Sequence, residues 1–293
     1  MTQEIHRVGV CGAGGTMGAG IAIVAARAGF ETVCYDLEQK PLDAAARQTA
    51  GFFGKSVERG KMSGEERDAV LARLRTATDL GALADCDLVI EAVFEDLGTK
   101  QKLFRELHTV CAAHTILASN TSTLSITEIA SGCGREDRVV GMHFCLPAQL
   151  MKLIEMSPGM NTSQQTFDKA WAFAEQAGQT PVRTQDKPGF ILNALLVPFN
   201  NDVIRAIEAG VASPADIDIA IKTALGYKMG PCELLDLIGL DTQLRLCEAF
   251  YPVTMDVRSS APPLLRRMVA AGHLGRKTGR GFYKYEGGAL FGG

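Results

Sequence analysis

Apolar and polar positions follow two regimes along this chain. Over the first ~185 residues, short apolar runs alternate with longer stretches whose apolar positions recur every three to four residues, the signature of βαβ units around a parallel sheet. The apolar runs predict strands at residues 7–11, 32–35, 87–92, 116–119, 138–143, 152–156 and 181–184. The helical spacing predicts helices at 21–28, 42–59, 65–73, 99–111 and 164–177. The pattern over 42–61, with the "SGEERDAV" stretch after it, makes a longer excursion than a βαβ unit requires. Such an insertion often reaches over a ligand. Beyond "QDKPGF" the spacing is helical throughout, in "ILNALLVPFNNDVIRAIEAG", "PADIDIAIKTAL", "PCELLDLIGLDTQLRLCEAF" and "APPLLRRMVAAG", with Gly and Pro at the breaks. The expected organisation is an α/β domain over 1–185 and an all-helical domain over 186–293, with the boundary near Asp186. The closing "EGGALFGG" reads as a frayed tail.

Composition narrows the function classes. The 293 residues suffice for two domains, and 46% hydrophobic with 22% charged residues describes a globular chain. A net charge of -3 is too small to point to nucleic acid or an anionic surface. No apolar run approaches the ~18 residues of a membrane span, and no secretory pattern precedes the first strand. The eight cysteines are scattered without a C-x-x-C pair, so a reduced, cytoplasmic protein is expected. The five histidines form no ligand-spaced cluster, and no metal is expected.

The first strand runs into "GAGGTMGAG", five glycines in nine residues. Gly12 and Gly14 suit a tight turn and a close approach of backbone to phosphate, and Gly18 suits packing of a helix on the strand. The dinucleotide fingerprint spaces its glycines G-x-G-x-x-G, whereas Gly12, Gly14 and Gly18 spell G-x-G-x-x-x-G, so the motif alone is weak. Its context is stronger: a strand before, a helix after, and Asp36 ending the next strand. A carboxylate there accepts hydrogen bonds from ribose hydroxyls and repels a 2′-phosphate, which favours NAD over NADP. The extra residue is expected to bulge at Gly14–Gly15 while Gly18 still packs the helix.

Polar residues also stand where packing does not ask for them. The strand in "ILASNTSTLSI" ends in a run of small and polar residues that includes Ser122. In "RVVGMHFCLPAQLMKLIEMSPG", His143 closes an apolar strand and Glu155 lies in the next, and in "DKPGFILNALLVPF" Asn193 interrupts an apolar helix start. Singly each has an ordinary structural reading: a turn serine, a core histidine, an edge carboxylate, a helix-packing amide.

Together the motifs resemble one family, the L-3-hydroxyacyl-CoA dehydrogenases, 3-hydroxybutyryl-CoA dehydrogenases included. The likeness runs from about Val8 to Tyr285 and is carried by "GAGGTMGAGIA", "DLVIEAVFED", "ASNTSTLSIT", "MKLIE", "KPGFILNALLVPF", "GVASPADIDIAI", "GYKMGPCELLDLIGLD" and "GRKTGRGFYKY". The resemblance implies a Rossmann-like NAD domain followed by a helical dimerisation domain. It implies that His143 is the base for a secondary alcohol, that Glu155 orients it, and that Ser122 and Asn193 hydrogen-bond the reacting oxygen. It also implies that Glu95, Lys100 and Lys277 line NAD. Lys55 and Arg59 are the nearest matches to residues that touch CoA phosphates in relatives, on a loose alignment; a solvated helix face explains them equally well.

The sequence departs from the family at two places. One is Gly15, the extra glycine of the loop. The other is "HFCLP", where relatives read H-F-F-N-P: Leu146 replaces a polar residue beside the reacting centre, and Cys145 makes the wall smaller. The expected activity is interconversion of an L-3-hydroxyacyl thioester and its 3-oxo form, first on CoA. The alternative is a hydroxyacyl group on a carrier protein, such as a glyceryl-type unit of polyketide biosynthesis. A non-catalytic NAD-binding protein or redox sensor is a third reading, against which the complete set of site residues argues.

Overall fold

The computed structural model describes residues 4–285, so the terminal "EGGALFGG" lies outside the described residues. The chain divides into two compact units between Phe190 and Ile191.

The first unit runs β1 (Arg7–Cys11), α1 (Thr16–Arg27), β2 (Glu31–Tyr35), α2 (Gln39–Glu58), α3 (Gly64–Ala72), β3 (Leu74–Ala77), β4 (Leu88–Glu91), α4 (Leu97–Val110), β5 (Ile116–Ser119), α5 (Ile126–Ala130), β6 (Val139–Phe144), β7 (Leu153–Pro158), α6 (Gln164–Gln176) and β8 (Thr180–Arg183). Its eight strands form one sheet in the order β3-β2-β1-β4-β5-β6-β7-β8. Strands β1 to β6 run parallel, β7 returns antiparallel to β6, and β8 runs with β7. Strands covered on both faces need apolar residues at every position, and alternate side chains divide between the faces. Val8, Val10, Leu88, Ile90, Ile116, Ala118, Val140 and Met142 pack on one side with Ile21 and Ala25 of α1 and Phe173 of α6. Val33, Val89, Leu117 and Val139 pack on the other with Phe104 and Leu107 of α4 and Ile129 of α5.

Two elements differ from the sequence reading. Helix α1 starts at Thr16 rather than near residue 21, because Gly18 and Gly20 are buried helical positions that carry no apolar signal. Strand β3 was not predicted at all. It is a four-residue edge strand, Leu-Arg-Thr-Ala, with its two central side chains exposed, and it offers no apolar run to read. The excursion is the α2–α3 pair. Ser63 and Glu66 close a capping box at the start of α3, and Phe53 and Val70 seat the pair on Ile23 and Ala26 of α1.

The second unit comprises α7 (Leu192–Glu208), α8 (Pro214–Leu225), α9 (Pro231–Ile238), α10 (Leu240–Thr254) and α11 (Pro263–Ala270). Val197, Ile204, Leu235, Leu240, Cys247 and Leu265 make its core. Two buried carboxylates fasten the segment that follows α11. Asp236 accepts from Phe282 N and Tyr283 N (both 2.9 Å) and from Tyr285 Oη (3.0 Å), and Asp218 accepts from Tyr283 Oη at 2.7 Å. Gly281 lies so close that a Cβ there would stand 1.9 Å from Asp236 Oδ1.

Candidate active site

The parallel strands deliver their carboxyl ends to one edge of the sheet, the edge where open α/β sheets bind ligands. Four of those ends carry the residues singled out above: the glycine turn after β1, Glu95 after β4, the serine loop after β5, and His143 near the end of β6.

The glycine turn is held from below. Gly12 N and Ala13 N both donate to Tyr35 O (3.0 and 3.1 Å). Gly12 has φ +79°, and a Cβ there would meet Ala92 O at 2.6 Å. A Cβ on Gly18 would lie 2.2 Å from Gly12 O, so α1 crosses the turn at a distance only glycine allows. Gly15 is different. It is the N-cap of α1 in extended conformation (φ −84°), with nothing nearer its Cβ position than 3.4 Å. The extra residue is taken up by a closed turn in which Gly15 N donates to Gly12 O at 3.0 Å. Asp36 accepts from Gly14 N at 2.9 Å through Oδ2 and from Leu37 N at 2.8 Å through Oδ1. A bare backbone turn, the unpaired N–H groups of a helix start and a carboxylate at the end of β2 fit a dinucleotide pyrophosphate and its ribose.

His143 and Glu155 face each other across the antiparallel β6–β7 pair, in register. The imidazole Nδ1 is 2.8 Å from Glu155 Oε2, and Glu155 is fully buried. An ionised carboxylate can only accept, so Nδ1 is the donor and the lone pair falls to Nε2. The Phe190 ring lies 5.6 Å from the imidazole centroid, at the end of the "DKPGF" segment. Phe190 is buried and has φ +50°, a strained position for a non-glycine residue.

The serine loop is tied on three sides. Asn120 Oδ1 accepts from Phe144 N at 2.8 Å, which joins the loop to the strand of His143. Glu95 Oε1 collects Thr121 Oγ1 (2.6 Å), Ser122 N (2.8 Å), Thr123 Oγ1 (2.9 Å) and Thr123 N (3.0 Å), with Ser122 Oγ at 3.4 Å. Gly189 N donates to Ser122 O at 3.2 Å. Burial would raise the Glu95 carboxyl, but the Lys100 ammonium and the loop's donors outweigh it and hold the group below the usual carboxylate range. Asp186 anchors the stretch after the loop, accepting from Ser125 Oγ, Ile126 N, Thr127 N and Thr127 Oγ1 at 2.6–2.9 Å.

The first unit thus brings together Ser122, Glu95, Lys100, His143 and Glu155. Lys100 is buried, with Nζ 2.5 Å from Glu91 Oε1 and 3.2 Å from Glu95 Oε2. Leu146, three residues past His143, is exposed and joined to Pro147 by a cis peptide bond. Lys55 and Arg59 stand exposed at the end of α2. Asn193 and Lys277 belong to the second unit: Asn193 is half-buried in the first turn of α7, and Lys277 forms an ion pair with Asp241. Glu91, Asp186 and Phe190 went unread as site residues. Only Glu91 left a signal, a carboxylate closing the apolar run "DLVIE". Burial pushes the Cys145 thiol up to about 11, which leaves it a packing residue rather than a nucleophile at neutral pH. Among the described residues, no group of three or more His, Cys, Asp or Glu side chains could hold a metal ion.

Comparison with known proteins agrees with this geometry. Residues 7–187 match the 3-hydroxyacyl-CoA dehydrogenase NAD binding domain, and residues 189–285 match the C-terminal domain of the same family. The chain is 42% identical to a probable 3-hydroxybutyryl-CoA dehydrogenase of Bacillus subtilis, over 97% of this chain and 99% of that protein. It is also 42% identical to the human mitochondrial hydroxyacyl-coenzyme A dehydrogenase, over 93% of this chain and 89% of that one. Among solved structures, Mycobacterium tuberculosis FadB2 superposes with a TM-score of 0.91 at 40% identity, covering 97% of this chain and all of that chain. The chain belongs to the 3-hydroxyacyl-CoA dehydrogenase family. Its activity is the NAD-dependent one of that family.

Proposed function

We propose that the chain oxidises a short L-3-hydroxyacyl-CoA, of the 3-hydroxybutyryl class, and reduces the 3-oxoacyl-CoA in reverse, with His143 as the proton acceptor and donor. The observation that carries this reading is the His143–Glu155 pair, an imidazole fixed through one nitrogen by a carboxylate with no exposure. The similar proteins named as 3-hydroxybutyryl-CoA dehydrogenases support the substrate class.

Gly12, Gly14, Gly15, Gly18 and Asp36 would hold NAD, which supplies the hydride acceptor of the oxidation and the donor of the reverse reaction. In oxidation, His143 Nε2 takes the proton of the substrate hydroxyl while Nδ1–H stays on Glu155, whose charge stabilises the imidazolium. In reduction the same nitrogen returns the proton. Ser122 Oγ donates to the reacting oxygen and stabilises the charge it develops. Leu146, three residues past His143, can neither donate nor accept a hydrogen bond through its side chain.

A homodimer fits the second unit, which exposes Leu195, Val211, Ile219, Leu225, Val253 and Met255. All eight cysteines are free and buried, which fits a reducing compartment. No helix among the described residues is long and apolar enough to cross a membrane.

A paired assay tests the substrate: acetoacetyl-CoA against the same acyl group on a carrier protein, each with NADH. Faster turnover on the CoA thioester is expected. Preference for the carrier-bound group would make the carrier-protein reading correct, and tight NADH binding without turnover of either would point to a sensor.

A further inference from the structure

Packing alone does not explain Phe190. The residue is buried in the apolar cluster that holds Ile126 and Val139, yet its backbone is left-handed at φ +50°. Bulky L residues adopt that conformation only where their surroundings impose it. Here the surroundings are a turn pinned at both ends. Asp186 accepts four hydrogen bonds from the start of α5. Gly189, with φ +79°, donates its N–H to Ser122 O at 3.2 Å, and Phe190 N donates to Lys187 O at 3.1 Å. The last residue of the turn takes the backbone that these anchors leave it.

What the strained backbone delivers is a ring against the imidazole of His143, centroids 5.6 Å apart and planes at 41°, within the range of aromatic pairs. The imidazole needs a second contact of this kind. The bond from Nδ1 to Glu155 Oε2 fixes one nitrogen, but a single hydrogen bond leaves the ring plane free to rock about it. Proton transfer at Nε2 depends on where that plane points.

We propose that Phe190 is a positioning residue for His143: the turn over 186–190 holds its ring against the imidazole, and the ring fixes the plane in which Nε2 meets the substrate hydroxyl. The inference rests on the proposed role of His143 and goes beyond it. Through Gly189 the same turn is bonded to Ser122, so one segment of chain places both groups that act at the reacting oxygen.

The test compares Phe190→Leu and Phe190→Met, which keep apolar bulk without a ring, with the wild type, His143→Ala and the double variant His143→Ala/Phe190→Leu. Reduction of acetoacetyl-CoA is followed at saturating NADH, with NADH affinity measured separately. In both ringless variants kcat should fall by about 10²-fold, the scale on which an ångström of misplacement acts. KM and the NADH dissociation constant should stay within about 3-fold of the wild type, on the same grounds. Because Phe190 acts through His143, the double variant should be no slower than His143→Ala, whereas an independent role adds its own loss. A kcat within about 3-fold of the wild type in either ringless variant would overturn the proposal. So would a further loss of about tenfold in the double variant, or failure of both ringless variants to fold, each of which makes Phe190 a packing residue. The underlying reading fails separately: a wild type inactive on acetoacetyl-CoA, or near-normal turnover by His143→Ala, removes the role of His143 itself.

Discussion

His143 and Glu155 are directly opposite each other in an antiparallel strand pair, Nδ1 to Oε2 at 2.8 Å, with the carboxylate sealed from solvent. Strand register sets this contact. In the β6–β7 pair, a one-residue slip would turn Glu155 to the opposite face of the sheet. Glu155→Gln keeps the shape but replaces the charge that stabilises the imidazolium. Its kcat for acetoacetyl-CoA reduction is expected to fall by about 10²-fold or more, with NADH affinity unchanged. A fluorescence titration with NADH alongside steady-state kinetics checks both halves.

The glycine turn gives two opposite expectations. Gly15 has an ordinary φ and only a van der Waals neighbour, Gly12 O at 3.4 Å, at its Cβ position, so Gly15→Ala should leave the NADH dissociation constant within about 3-fold. Gly18→Ala would drive a methyl group into Gly12 O, 2.2 Å away, and part α1 from the turn. Its NADH affinity should drop by at least about tenfold, with thermal stability lowered as well. Calorimetric titration of the two variants separates them.

Glu95 ties acid sensitivity to the serine loop. Its folded carboxyl is held below the ordinary carboxylate value, so its stabilising contribution is complete above the unfolded value of about 4.3 and is lost as pH falls through the lower folded value. The difference in Tm between the wild type and Glu95→Gln should therefore be constant from neutral pH down to that range and shrink below it. A pH series of thermal melts reads the difference directly.

In the second unit, Gly281 leaves no room for a side chain beside Asp236, whose carboxylate binds two backbone amides of the following residues. Gly281→Ala should break those bonds and cost about 2–4 kcal/mol, the range for strain combined with a buried carboxylate losing partners. Denaturant unfolding measures it.

Much of this was legible in the sequence because the signals are local. A glycine turn between an apolar strand and a helix, with Asp36 at the next strand end, reads without tertiary information, and so does a polar run at the end of β5. The helical second unit announces itself by spacing alone. Residues that act through long-range contacts stayed hidden. Asp186 reads as a linker residue, yet it caps α5 some 60 positions earlier in the chain. Phe190 carries no signal of its own in the sequence, yet its ring lies against the imidazole. Lys100 reads, by resemblance, as a residue lining NAD, and only the fold shows its ammonium enclosed between Glu91 and Glu95. Strand β3 escaped notice because an exposed edge strand needs no apolar face.

The measurement closest to the central claim is the turnover of His143→Ala with NADH and acetoacetyl-CoA, set beside the wild type at saturating concentrations of both. The wild-type enzyme should turn over and the variant should be slower by about 10³-fold, within the span of a lost general acid–base, with NADH binding intact. Near-normal turnover by His143→Ala would contradict it.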